Sequence, residues 1–357
     1  MSKRSVIIIF LLIVSIIIIY SASIDVNKFS VDDTNEVLPS LENELQIESV
    51  LENTDKKIDD VQDLKGVHSY IGLEADEIEK LLGKPVRIDR SSYDYDWWIY
   101  NEDFEQYIQI GIEKDKVVTV YAIGDKLDLH PFKIGQSLKE IENNIPLTNK
   151  ISFHAQNNSY RFELNETEML KMPLVELDHV FVQLYFDTFT NKLSSVRYMN
   201  SETLVKQRPY ELIYRGDLIS AKELIDEEWK EVEKGNQAQI LDITNVIRKR
   251  HDLPSLKWDK TTAEVAYNHS KDMNQNNYFS HKSPTTGGLA DRLAEGEVIY
   301  QLAGENIAAL YVDGIAAVEG WLNSEGHRET LLNEKFTHLG VGVFEKHYTQ
   351  NFVQKWE

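Results

Sequence analysis

No cysteine occurs among the 357 residues. That absence excludes disulfides, thiolate nucleophiles and cysteine-ligated zinc at once. Positive charge is the second scarcity. The chain has 38 Lys and Arg against 59 Asp and Glu, a formal net charge of -21 and a pI near 4.9. Such a chain repels phosphate backbones, so no nucleic acid partner is expected. An anionic membrane surface repels it too, unless a segment inserts. Hydrophobic residues make up 42% of the sequence, and its length suffices for two folded domains plus extra segments.

Lys3-Arg4 precede an apolar run from Val6 to Tyr20, interrupted only by Ser15. A basic start, an apolar centre and the small residues Ser21-Ala22-Ser23 have the form of a secretory signal. The same run, if retained, is a membrane anchor, slightly shorter than the ~20 residues of a comfortable span. Positive charge before the run and an acidic body after it predict that the body is exported. Residues 1–23 are therefore read as signal peptide or membrane anchor, with membrane contact through residues 6–20. Residues 24–65 carry 12 acids, 4 bases and one aromatic, Phe29, and read as an acidic linker.

Residues 66–208 repeat one unit. Ile71-Gly72 and Ile134-Gly135 each precede a short helical pattern and a proline stop at Pro85 or Pro146. Strand patterns follow in both copies: 97–100, 107–112 and 117–122, then 160–164, 180–186 and 193–198. Tyr107, Gln109 and Gly111 alternate with Ile108, Ile110 and Ile112, which predicts a half-buried strand. The expectation is an α+β domain of two similar halves, each a helix with a small antiparallel sheet. The run from Tyr93 to Tyr100 is the most aromatic stretch. Its alternate rings either fill the core of the sheet or stack on sugars of a cell-wall partner. Residues 209–234 read as a charged connector, helical from Ile219 to Glu233 and closed by Gly235-Asn236.

Residues 235–357 form a further module. Ile240, Ile243, Val246 and Ile247 recur at helical spacing and Pro254 ends that helix. Asp259 and Asp313 are placed to cap two more helices, and Phe336–Phe344 and His347–Trp356 form a strand pair. His281, Glu305 and His327 interrupt apolar segments, each at an expected junction between elements. Two neutral imidazoles and a carboxylate can hold a divalent ion and leave a position for water. Each residue also has a plainer use: His281 anchoring its loop, Glu305 bonding backbone in a turn, His327 capping the preceding helix. His269 is read as a hydrogen-bonded helix residue, His338 and His347 as surface.

Seven blocks carry a resemblance: 253–259, His269 with Asp272-Met273, 278–281, Gly304-Glu305-Asn306-Ile307-Ala308, 317–324, Gly326-His327-Arg328, and Gly340-Val341-Gly342-Val343. In this order and spacing the stretch resembles the CAP superfamily of cysteine-rich secretory, antigen 5 and pathogenesis-related proteins, in its cysteine-free bacterial form. The repeated unit before it resembles the domain that precedes CAP modules in some Gram-positive proteins. The resemblance implies an α-β-α sandwich and a cavity lined by two histidines and two acids. By position these are His281, His327 and Glu305. The second acid, one turn beyond Trp321, is replaced by Ser324, with Glu325 next and Glu319 in reserve on another helical face. The incomplete set implies zinc or another divalent cation bound weakly. Three functions follow: an extracytoplasmic binding module for a lipid, peptide or cell-wall component, a metal-dependent hydrolase with Glu305 as ligand or general base, and a cell-surface scaffold.

Overall fold

The computed structural model describes residues 66–356, so the expectations for 1–23 and 24–65 lie outside the described residues. Among the described residues no helix is long and apolar enough to cross a membrane. Helices α1 (Ala75–Leu82) and α2 (Leu138–Glu142) begin the two repeats. Gly72 and Gly135 turn the chain into them with φ of 92° and 84°, a region open mainly to glycine. At α2 the Ser137 hydroxyl accepts from the Glu140 N–H and the Glu140 carboxylate from the Ser137 N–H, a reciprocal cap.

The first repeat then supplies β1 (Arg87–Arg90), β2 (Asp96–Tyr100), β3 (Ile108–Glu113) and β4 (Lys116–Ala122). The second supplies β5 (Lys150–Ala155), β6 (Asn158–Glu163), α3 (Glu166–Lys171), β7 (Leu174–Leu177), β8 (Val180–Asp187) and β9 (Lys192–Met199), followed by α4 (Ser201–Gln207) and β10 (Glu211–Arg215). The repeats do not keep separate sheets. β4 pairs antiparallel with β9, giving one seven-stranded sheet in the order β1-β2-β3-β4-β9-β8-β7. This join removes an exposed strand edge from each repeat. β10, β6 and β5 make a separate three-stranded sheet.

One face of the large sheet packs Ile110, Val120, Val182 and Val196 against Ile78 of α1 and Ile141 of α2. The other face is covered as well, so β3 is buried on both sides from Ile108 to Gly111 rather than half-buried. Tyr95, Trp97, Tyr107, Tyr121 and Tyr185 share a core there with Ile240, Ile243 and Trp321 of the C-terminal module. The aromatic run therefore fills core. Its rings at 93, 95 and 97 are buried, those at 98 and 100 half-buried, and none forms an exposed sugar platform.

The C-terminal module starts with α5 (Asp226–Arg250), a single 25-residue helix. Gly235-Asn236 lies inside it and does not break it. A Cβ at Gly235 would sit 2.9 Å from the Cβ of Asp89, so the glycine permits the close crossing of α5 over β1. The Asn236 side chain accepts from the Gly314 N–H at 2.7 Å. Then come β11 (Lys257–Trp258), α6 (Lys260–Gln275), α7 (Leu289–Glu295), β12 (Leu302–Ala309), α8 (Gly314–Leu322), α9 (Glu325–Leu331), β13 (His338–Phe344) and β14 (His347–Gln354). The sheet order is β11-β13-β14-β12. Strand alternation sorts β13 onto two faces. Gly340 and Gly342 meet the backbone of α6, while Val341 and Val343 join the core with α5 and α8. Helices thus cover both faces, and the sandwich expected for this module is present.

Candidate functional site

The loop that carries His281 is tied down by α6. The Nε2 of His269 donates to the Ser280 carbonyl at 3.1 Å. One turn on, the Asp272 carboxylate accepts from the Tyr278 hydroxyl and, at 2.7 Å, from the Ser283 hydroxyl. His269 is 1% exposed, and burial pushes its imidazole pKa down, with Glu305 opposing and Arg292 reinforcing that shift. It is a loop anchor, as a hydrogen-bonded helix residue should be. His338 and His347 are half-buried strand residues rather than open surface.

Glu305 is not at a junction or in a turn. It lies inside β12, opposite Asn351 of β14. Its neighbour Asn306 points to the other face of the strand, where its amide donates to the His327 carbonyl at 3.1 Å and to Gln350 at 3.2 Å. The Glu305 carboxylate has two partners. Oε1 accepts from Nδ1 of His281 at 2.9 Å, and Oε2 accepts from Nη2 of Arg292 at 2.5 Å. Arg292, on α7, also donates through Nη1 to the carbonyls of His281 and Gly287, each at 2.9 Å. One guanidinium therefore matches the charge of Glu305 and fixes the backbone of His281.

His327 does not end the preceding helix. It occupies the first turn of α9, whose N-cap is Ser324. Its Nδ1 and the Ser324 Oγ are 2.9 Å apart. Its ring centroid lies 6.4 Å from that of His281, at an interplanar angle of 45°. Burial pushes the His327 pKa down, and the neighbouring His281 adds to the effect. A helix N-terminus also disfavours a cation. The plain capping role is thereby removed, and a neutral imidazole faces His281.

The structure thus brings His281, Glu305, His327 and Ser324 together. Glu325 is exposed in the first turn of α9, two residues from His327, a spacing that does not share a helical face. Glu319 points elsewhere. Trp321 binds the Ile307 carbonyl through its indole N–H at 2.9 Å, holding that side of α8 to β12. Two residues away, near the opposite side of the helix, Glu319 accepts from the Ser195 hydroxyl at 2.5 Å and from Tyr121 at 3.3 Å. It belongs to the contact with the seven-stranded sheet, not to the cleft.

The donor set fits a resident metal poorly. Both oxygens of Glu305 are engaged, one by a guanidinium that would repel a second cation. Among the described residues no group of three His, Cys, Asp or Glu is placed to hold a metal ion. What the cleft offers instead is hydrogen bonding. With its proton on Nδ1 toward Glu305, His281 presents Nε2 as an acceptor on a side chain 56% exposed. An imidazole oriented this way can also take a proton from water, which is general-base chemistry.

Arg292 and Asn306 were not evident from sequence as site residues. Asn306 follows Glu305 and Arg292 adjoins the apolar Leu293, but neither pattern says that the side chain turns inward.

Comparison with known proteins agrees with this fold. The CAP-associated N-terminal family matches residues 71–210, and the cysteine-rich secretory protein family matches residues 241–356. The uncharacterized membrane protein YlbC of Bacillus subtilis (strain 168) is 54% identical over 291 residues, which is 82% of this chain and 84% of that protein. The chain belongs to the cysteine-rich secretory protein family. A solved structure of an extracellular protein containing a SCP domain from Bacillus anthracis str. Ames has TM-score 0.79 at 48% identity, covering 87% of this chain and 100% of that one. A cysteine-rich secretory protein from Staphylococcus aureus subsp. aureus Mu50 has TM-score 0.70 at 25% identity, covering 81% and 95%. Like its relatives, this family member is a mixed α+β protein, and it has no cysteine.

Proposed function

We propose that this family member is an extracytoplasmic binding module, held at the membrane by residues 6–20, that captures a lipid, peptide or cell-wall component through the His281–Glu305–His327 cleft. One observation carries the reading. Arg292 already matches the charge of Glu305 at 2.5 Å, so the groups left for a ligand are imidazole edges. Such edges suit hydroxyl and amide donors better than phosphate or carboxylate. Phe279, 54% exposed on the same loop, supplies apolar contact surface. The words extracellular and membrane in the names of the two Bacillus relatives support the location, as does the basic start before the apolar run.

The test is retention of the full chain by purified peptidoglycan, by phosphatidylglycerol vesicles and by an immobilised peptide library. The expected result is retention on one of these that drops in both His281→Ala and His327→Ala. Equal retention of all three proteins on every surface would overturn the reading. Cleavage of the retained material that follows added zinc would replace it with the hydrolase.

A further inference from the structure

β10 is an outer strand of the three-stranded sheet, with β6 on one side of it. Among the described residues no backbone hydrogen bond reaches its other side. Of its five residues only Leu212 is half-buried; Glu211, Ile213, Tyr214 and Arg215 are exposed. Alternation divides them between the two faces of the sheet. On the core face Leu212 packs against the cluster of Phe153 and Phe162, and Tyr214 stacks on Tyr160 at 6.4 Å. Glu211, Ile213 and Arg215 stand on the outer face. Open edges are commonly blunted by proline, lysine or a bulge, and β10 has none of these. It is a ready template for another strand.

The charges on its outer face are not balanced within the chain. Glu211 stands opposite Glu163 of β6, and Arg215 opposite Ser159. Like charges directly opposite destabilise a sheet. The cations nearby, Arg161 at 3.0 Å and Lys150 at 3.5 Å, pair with Glu163. Among the described residues neither Glu211 nor Arg215 has a partner of opposite charge. The strand is nevertheless its own complement. Antiparallel pairing about Ile213 sets Glu211 opposite Arg215 of a second copy, and Arg215 opposite that copy's Glu211. Leu212 then meets Tyr214 on the core face. The other edge of the sheet, β5, exposes Lys150, Ser152 and His154 and has no acid to answer them.

We propose that the chain forms a two-fold dimer in which β10 pairs with β10 of a second copy, centred on Ile213, and the two small sheets become one of six strands. A two-fold contact of this kind is closed, so it ends at the dimer. The contact is short, so the dimer is weak and reversible. Confinement of both copies at one membrane surface would favour it. No residue of the His281 cleft takes part, so either reading can fail without the other.

The absence of cysteine makes a single introduced thiol unambiguous. The experiment places full-length Ile213→Cys and Glu211→Cys separately in phosphatidylglycerol vesicles and treats each with a short bismaleimide. In the paired register residue 213 lies about 5 Å from its twin, Cβ to Cβ. Residue 211 lies four positions from its own twin, about 13 Å along the strand. A reagent whose span falls between these distances should join Ile213→Cys into a covalent dimer and leave Glu211→Cys single. Adding Glu211→Lys to Ile213→Cys reverses two charge pairs by symmetry and should cut the linked fraction about tenfold. Adding Arg215→Glu as well should restore it. All three positions are exposed, so the fold is expected to tolerate these changes. No linkage at residue 213, equal linkage at 213 and 211, or no recovery in the double reversal would each overturn the proposal. The unaltered chain gives an independent check, since it should sediment in detergent as monomer and dimer in proportions that change with concentration. A single monomeric species up to about 100 μM would overturn the dimer as well.

Discussion

Nη2 of Arg292 lies 2.5 Å from Oε2 of Glu305, and the two side chains are 4% and 3% exposed. An ion pair this deep is held together by mutual need. Each partner is costly to bury alone, and the pair survives because the remaining polar atoms are also engaged: Oε1 by His281, Nη1 by two backbone carbonyls. The consequence reaches the surface. His281 is half-exposed, yet its carbonyl and its ring are both fixed by buried groups, so the cleft presents an ordered imidazole on an irregular loop.

Removing the guanidinium should therefore cost much more than removing an ordinary surface arginine. Arg292→Met leaves the Glu305 carboxylate buried and unmatched, and a loss of about 3–5 kcal/mol is expected. The double variant Arg292→Met, Glu305→Gln should recover a large part of that loss. Urea unfolding of the three proteins checks it. A single-variant loss under about 1 kcal/mol would mean that the pair is open to water.

The histidines give the protein a pH dependence of definite sign. Burial lowers the pKa of His269 and His327 in the fold. The unfolded chain returns them to about 6.5. Between the unfolded and folded values the unfolded state binds more protons, so stability is complete above about pH 6.5 and falls as pH drops toward the folded values. His269→Gln can still donate to the Ser280 carbonyl but cannot titrate. The unfolding midpoint of this variant should decline less steeply between about pH 7 and about pH 5 than that of the unaltered chain. Identical slopes would show that His269 is not held neutral.

Sequence carried the fold further than it carried the site. Periodicity located six of the nine strands of the two repeats, missing β1, β5 and β7, and it located the capping aspartates, because those signals are local: Asp259 caps Thr262 and Asp313 caps Ala316 within the same turn. It misjudged what depends on distant partners. Gly235 looked like a break because nothing nearby announces Asp89, 146 positions upstream by 235 minus 89. The two repeats looked like separate sheets because the β4–β9 pairing joins segments with a whole repeat between them. The same limit applied to the cleft. His281, Glu305 and His327 stood out as polar residues in family blocks, whereas Arg292 is defined only by what it meets in space.

Two glycines with opposite surroundings should answer oppositely to one methyl group. A Cβ at Gly342 would run into the backbone of Ala266 and Tyr267 in α6, and neither can move without shifting the helix. Gly342→Ala should cost at least about 1–3 kcal/mol. Gly326, in the first turn of α9, has no atom within 4 Å of the added carbon. Gly326→Ala should be stabilising by about 0.4–1 kcal/mol through the unfolded chain. Thermal unfolding of both variants decides it, and a stable Gly342→Ala would mean that α6 does not press on β13 as described.

Zinc gives the sharpest test of whether the charge in the cleft is already matched. A divalent ion placed between His281, Glu305 and His327 would have to displace Nη2 of Arg292 from a carboxylate 2.5 Å away, and would then stand beside the displaced cation. Titration of the full chain with zinc is therefore expected to give no stoichiometric binding near neutral pH. Arg292→Met removes the competitor and leaves two imidazoles and a carboxylate, a donor set that zinc accepts. That variant should bind zinc and regain stability as it does so, since an ion that binds only the folded state stabilises it by mass action. Stoichiometric binding by the unaltered chain, abolished in both His281→Ala and His327→Ala, would show that Arg292 yields to the metal and that the cleft is a metal centre after all.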